Sequence, residues 1–418
     1  MWSQHFNPKG FLPWLLLVIV AIILWYPFRD INGDGTTIVV DCTRDSLADA
    51  LRKAKPGAMI KVSGTCKADE KIPLVVKIAK IVIDGLGTAI LDGNGLSVPV
   101  ITFDGAQDVV FRGFTVRNGQ DGIVITNAAQ VAMEDITTTE NKGDGLLVTE
   151  KGFAYIGNTE ELPPKGLQQL LIEALEGKVG RIIDELGCAG TSCQGAAMSR
   201  VNRHPGWLSA IKAYWAGLSV ARIAGFDAYA ANCVFKAVKN GGYGARDKNG
   251  QIYSKNCTKN LNKNGRGGMA LFDNASALIE ASTVNLNDNK NNNGNVSDEN
   301  RRGAGLLLDK SSTLRVLRGS RLQAMDTTTN ANQRDQLKGI SVHNNSKIIV
   351  KGTNTIDTRN NKDWGIEVGL PHGDTSKIIL CQPAQVTIST GGNGRGAKNI
   401  GQDACFDSGQ VCHDTDTC

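Results

Sequence analysis

Short bursts of apolar–x–apolar residues recur behind glycines along most of the chain. Ile123 and Ile125 follow Gly122, Leu146 and Val148 follow Gly145, and Met269 and Leu271 follow Gly268. Leu306 and Leu308 follow Gly305, Ile340 and Val342 follow Gly339, and Ile366 and Val368 follow Gly365. A period of two places both apolar residues of each burst on one face of a strand. The glycines belong to a repeat, Asn-x3-Gly: Asn118–Gly122, Asn141–Gly145, Asn240–Gly244, Asn264–Gly268 and Asn361–Gly365. Further strands are expected at Gln130–Met133, Thr313–Val316 and Lys347–Val350, and Gly217 is a candidate head for one more unit. A unit of about two dozen residues cannot bury its apolar face alone, whereas stacking units at ~4.8 Å pairs every strand with neighbours above and below. The pattern therefore predicts an all-β fold, a right-handed parallel β-helix solenoid. Asn is expected at the turn because it tolerates φ > 0 and its amide can bond the copy in the next coil.

Two stretches break this period. From Leu167 to Leu186 the apolar residues fall at i, i+3 and i+4, between Pro163–Pro164 and Gly187, and Trp207, Leu208, Ile211 and Trp215 suggest a second short helix. An α-helical insertion is thus expected over 159–216, either as a lid on the coils or as a docking surface carrying Trp207 and Trp215. The other is Phe11–Phe28, an 18-residue run without charge. As a helix it would extend about 27 Å, close to the hydrocarbon thickness of a bilayer. Trp14, Trp25 and Tyr26 lie near its ends, and Lys9 precedes it. It reads as an uncleaved transmembrane signal anchor, with a cleaved signal peptide as the rival. The expected order is a short cytoplasmic N-terminus (1–10), the anchor in the inner membrane (11–28), a linker (29–36), N-terminal coils (37–158), the insertion, C-terminal coils (217–380) and a Cys-rich cap (381–418). The bulk of the chain is placed in the periplasm or outside the cell.

Composition narrows the class. Of 418 residues 48 are Gly, 41% are hydrophobic and the formal charge is +5. That is too apolar for disorder, lacks the collagen period, and carries too small a charge excess to imply nucleic acid. Ten cysteines, an even number, suit an oxidising compartment: Cys42, Cys66, Cys188, Cys193, Cys233, Cys257, Cys381, Cys405, Cys412 and Cys418. Cys42 is expected to pair with Cys66. Cys233 and Cys257 each lie 11 residues before a repeat glycine and would stack ~4.8 Å apart, within bonding range. Whether they bond is left open. No cysteine spacing matches a standard zinc pattern.

Asp41–Gly93, with DCTRDSLADALRKAKPGAMIKVSGTC followed by IVIDGLGTAILDG, resembles the start of pectin-lyase-like parallel β-helix proteins. The resemblance implies a short amphipathic helix closing the open end, and Leu47, Leu51 and Ala54 have the spacing for it, with Pro56–Gly57 ending it. It also implies that any chemistry would sit on the outward face of one sheet, where lyases use a Lys or Arg base and Ca²⁺ carboxylates and hydrolases use close acid pairs. The blocks of the characterised enzymes are missing, and no catalytic residue is carried over. One fold hosts many functions.

The repeat identifies the outward position, two residues after each glycine: Val124, Leu147, Arg246, Ala270, Leu307, Ser341 and Glu367. This ladder is largely apolar and wants covering, so Val124, Leu147, Ala270 and Leu307 are expected to bind a protein partner. The predicted function is a membrane-anchored, non-catalytic docking module, an accessory subunit of a membrane complex, without cofactor or metal. The alternative is a protein that binds or modifies an anionic polysaccharide, with Ca²⁺ only in that case. It draws on the basic residues Arg246, Lys248, Lys255, Lys259, Lys263 and Arg266. Asp121 and Asp144 precede equivalent glycines and would lie one coil apart, as ordinary turn residues or as an acidic pair.

Overall fold

Every strand pairing among the described residues is parallel, and each joins a strand to its counterpart one coil away. The computed structural model describes residues 36–67, 74–157, 159, 233–290, 303–317, 319–328, 336–369, 374–381, 386–400 and 405–406. They form the parallel β-helix that the repeat predicts. One wall is a ten-stranded sheet that begins at Leu74–Val76 and Ile101–Asp104 and ends at Trp364–Val368 and Gly396–Ile400. The other two walls are stacks such as Gln130–Glu134 over Phe153–Ile156 and Ile136–Thr139 over Cys233–Val238. Two long strands, Val82–Asp92 and Val109–Arg117, turn the corner and belong to both.

The period-two pairs point inward as expected. Ile123, Ile125, Leu146, Val148, Leu306, Leu308, Ile340, Val342, Ile366 and Val368 are all buried. The helix Leu47–Lys53 buries Leu47, Ala50 and Leu51 over the first coil, and Ser46 caps it by accepting a hydrogen bond from the Asp49 N–H. Between the second and third walls one left-handed residue makes the corner: Asp135 at φ 50°, Asn256 at 48° and Ala281 at 45°. Gly113, at φ 72°, does the same within its long strand, and a Cβ there would come within 2.6 Å of the Gly87 nitrogen.

Asparagine stacks at the next corner, but not as the repeat suggests. The residue with positive φ is the one before each asparagine: Glu140, Lys239, Lys263 and Asn360. The asparagine itself is free to bond along the axis. The Oδ1 of Asn240 accepts from Asn141 N, that of Asn264 from Asn240 N, that of Asn289 from Asn264 N, and Gln336 continues the ladder to Asn361. Asn118 lies one position off this column; Gly119 occupies it and donates to Asn141 Oδ1, while Asn118 donates to Asp92. The buried Asn289 places Asn285–Asn289 in the coil.

Two expected boundaries move. Leu146–Thr149 pairs directly with Ala245–Lys248, so no rung lies between Gly145 and Gly244 for Gly217 to head. Among the described residues the coil resumes at Cys233, at a corner where other coils spend a single residue, and Gly217 lies outside them. At the far end, strands Val386–Ser389, Gly396–Ile400 and Cys405–Phe406 carry the stack beyond 380. Cys42–Cys66 and Cys233–Cys257 are disulfides between stacked positions, with Cα atoms 4.8 and 4.7 Å apart. Cys381 is also bonded. Among the described residues no helix is long and apolar enough to cross a membrane. The anchor Phe11–Phe28, the insertion with Trp207 and Trp215, and Cys188, Cys193, Cys412 and Cys418 lie outside the described residues.

One coil carries two ionisable groups in its interior. Asp247 takes an inward position between Val148 and Leu271, and Lys259 one between Phe235 and Val284. The Lys259 ammonium makes no hydrogen bond, and burial pushes it from its ordinary 10.5 down to about 7. The unfolded chain binds that proton up to its higher pKa, so the Lys259 contribution to stability should climb as pH rises from about 7 towards 10. Lys259→Met is expected to gain several kcal/mol at pH 7 and to lose that slope; denaturant midpoints across this range check it, and a destabilised variant would contradict it. The ladder gives a second test. Asn264→Ala orphans Asn240 N–H and Ala237 C=O and should cost about 2–4 kcal/mol, while Lys255→Ala should stay within about 0.5 kcal/mol.

Candidate functional site

The outward column of the ten-stranded sheet has the register expected for it. Hydrogen-bonded neighbours run Val75, Thr102, Val124, Leu147, Arg246, Ala270, Leu307, Ser341, Glu367 and Asn399. Its exposure is not what was expected. Ala270, Leu307, Ser341 and Glu367 are 0–3% exposed, although their side chains leave the interior of the solenoid. Ala270 and Leu307 are therefore closed off within this chain and cannot receive a partner as predicted. Val124 is nearly buried, Leu147 and Thr102 are half-buried, and Val75 stays 42% exposed.

The face divides into four regions from top to bottom. The first rungs, Val75 to Leu147, carry aliphatic and hydroxyl groups. Below them Asp144 meets Arg246, Oδ2 to Nε at 2.7 Å. Asp144 also accepts from Tyr243 N at 2.8 Å, and its own N–H donates to Asp121 at 2.7 Å. The two aspartates are thus linked through the Asp144 backbone N–H. Burial raises the Asp144 carboxyl to about 6 against the pull of Arg246. The third region is apolar: Tyr243, Ala270, Ala304 and Leu307 pack together, with Phe272 against them.

The fourth region is a buried polar cluster. Lys338 Nζ contacts Glu367 Oε1 in an ion pair whose side chains are each 5% exposed. Ser341 Oγ lies 2.6 Å from His343 Nε2 and 3.4 Å from Glu367 Oε1. His343 Nε2 is 3.4 Å from the same carboxylate oxygen, and its Nδ1 is 4.0 Å from Asp374 Oδ2. Asp374 is held by the N–H groups of Asn344, Asn345 and Ser376 and by the Ser376 hydroxyl. Burial pushes the Glu367 carboxyl up, but the His343 hydrogen bond and the Lys338 charge outweigh it, and Glu367 stays ionised, below the usual range. A serine beside an imidazole and an ammonium beside a carboxylate are acid–base groups in kind. Here each already has a partner within the cluster.

The repeat exposed Ser341 and Glu367 but missed Lys338, His343 and Asp374. Two of these stand in the flanking outward columns. Lys338 is one residue before Gly339, and His343 is four after it. Reading those columns as well as the central one brings the cluster into view, whereas Asp374 comes from a connecting segment with no repeat position.

The basic residues singled out by composition do not form one surface. Arg246 is paired with Asp144, Lys248 reaches Asp273 at 4.0 Å, and Lys259 is inside the coil. Lys255 ends a strand on another wall, and Lys263 and Arg266 sit in the asparagine corner. Among the described residues no three His, Cys, Asp or Glu side chains are grouped to hold a metal ion.

No protein-family model matches the chain, and no curated protein resembles it in sequence. Several solved structures share its outline. Pectate lyase Pel9A is 14% identical at a TM-score of 0.40, over 89% of this chain and 82% of its own. Geobacillus virus E2 ORF18 is 9% identical at 0.40, over 97% of this chain and 65% of its own. An alginate lyase from Paenibacillus sp. str. FPU-7 is 13% identical at 0.39, over 89% of this chain and 99% of its own. At such low identity and TM-score none of them bears on what this chain binds or does.

The polar cluster makes a direct prediction. Glu367→Gln leaves the buried Lys338 ammonium without its carboxylate and should cost about 3–5 kcal/mol. Adding Lys338→Met should recover most of that loss. Chemical denaturation of the two variants checks it, and a Glu367→Gln protein as stable as the parent would contradict it.

Proposed function

We propose that the chain is a membrane-tethered, extracytoplasmic β-helix that serves as a non-catalytic docking module, with the first four rungs of the ten-stranded sheet as its contact surface. The observation that carries this reading is the division of the outward face. Its lower rungs are closed within the chain and their charges neutralise one another, while Val75, Thr102 and Leu147 remain accessible. The neighbouring Lys77–Asp104 pair, at 3.0 Å, supplies a polar rim. The uncharged run Phe11–Phe28 supports the tether, and the stacked disulfides support an oxidising compartment.

A photo-crosslinking residue in place of Leu147, in the full chain in its native membrane, is expected to give a discrete adduct. The same residue in place of Lys351, on another wall, should give none. Migration of the native chain as a bare monomer from mild detergent, with no adduct at Leu147, would overturn the proposal.

The second reading is an anionic-glycan lyase, hydrolase or epimerase, and one observation favours it: Lys338, Ser341, His343 and Glu367 share the outward face. Incubation with a panel of uronate polymers and Ca²⁺ decides between the two. Docking predicts no unsaturated product and no new reducing ends. Turnover that disappears in Ser341→Ala or His343→Ala would establish the glycan reading instead.

A further inference from the structure

The N-terminal end of the solenoid brings together exposed cations and an exposed aliphatic side chain. Val39, on the first strand Thr37–Asp41, is 71% exposed and is the most exposed large apolar residue described. At the same end Arg44, Lys53, Lys55, Lys67 and Lys80 are exposed; Asp45 is an exposed acid there, Asp41 feels the Arg44 charge, and Asp49 is paired with Arg52. A cavity of about 750 Å³ opens beside the Cys42–Cys66 bond. Arg44, Lys67, Ser46 and Thr65 contribute polar walls together with one acid, Asp45, and Leu47 and Leu74 an apolar floor. Cationic rim, hydroxyls and aliphatic floor together suit an amphiphile with an anionic head.

Chain length says where such a molecule would come from. Thr37 begins the first strand nine residues after Phe28, the last residue of the uncharged run. Nine extended residues span at most about 30 Å. The basic end is thereby confined near the surface of any membrane that holds the run. The linker is long enough to let that end reach the leaflet, and Lys and Arg that come within roughly a Debye length, 8 Å, of anionic lipid are drawn to it.

We propose that the N-terminal end of the solenoid is seated on anionic phospholipid, with a headgroup phosphate taken by Arg44 and Lys67 at the mouth of the cavity and Val39 set into the interface. The proposal rests on the membrane tether of the previous section but not on the docking surface. It fixes the rod upright, with its far coils pointing away from the bilayer.

The test uses the full chain in nanodiscs of phosphatidylcholine, with or without phosphatidylglycerol, and reads amide hydrogen exchange. Exchange across Thr43–Lys67 is expected to slow several-fold when phosphatidylglycerol is present. Raised salt should reverse the effect, and so should the double variant Arg44→Glu, Lys67→Glu. Exchange at Lys347–Lys351 should be unchanged throughout, which shows that the variant is folded. Equal exchange in both lipid compositions would overturn the proposal, whether another part of the chain or nothing covers that end. Resistance of the wild-type chain to alkaline carbonate extraction separately reports on the tether, so failure of the anchor and failure of the headgroup site give different results.

Discussion

Axial pairing in register is the constraint from which the rest of the structure follows. Each coil is too small to make a core, and its backbone donors and acceptors point along the axis to the coils above and below. Once one residue is paired with its counterpart, every side chain is committed to a column, inward or outward. The asparagine column is the polar version of the same rule. Asn141, Asn240, Asn264, Asn289, Gln336, Asn361 and Asn393 pass hydrogen bonds along the axis at a corner where the backbone has no regular partner. The left-handed residue before each of the asparagines sets the corner, and the amide then serves the next coil.

The same constraint shapes the outward face. In-register columns bring like positions into contact over many coils, so a charge placed there must find its partner in an adjacent coil or a flanking column. Asp144 finds Arg246 one rung on, and Lys338 finds Glu367 in the same way. Buried ion pairs of this kind add little stability against a hydrophobic substitute, but breaking one is costly, so they hold the coils to one arrangement. The functional reading follows from where such pairing stops. The upper rungs leave Val75 and Leu147 accessible, and at the N-terminal end exposed cations outnumber exposed acids. Contact with other molecules is assigned to those places.

Much of this was legible in the residues. Glycines 23 and 24 positions apart were enough to identify equivalent rungs, the inward pairs and the central outward column, because a period of two leaves little freedom once one register point is known. The stacking of Cys233 on Cys257 followed from the same spacing. What was not legible depended on neighbours outside that column. Lys259 was taken for a surface cation by composition, yet it lies two residues from Cys257 and shares its inward face. Gly217 was a plausible repeat head that the direct pairing of Leu147 with Arg246 excludes. Burial of Ala270 and Leu307 could not be read from the strands that carry them, since alternation reports which face a residue is on and not what lies over it.

The coils on either side of 158–232 are immediate neighbours, which makes the outward columns continuous. Thr149 pairs with Lys248 across that junction, at roughly the 4.8 Å spacing of adjacent strands. Cysteines introduced together at these two positions in the full chain should join under mild oxidation, with the Thr149–Lys248 crosslink identified by peptide mass mapping. If both stay reduced while Cys233–Cys257 is oxidised, another rung lies between them and the columns described here are broken.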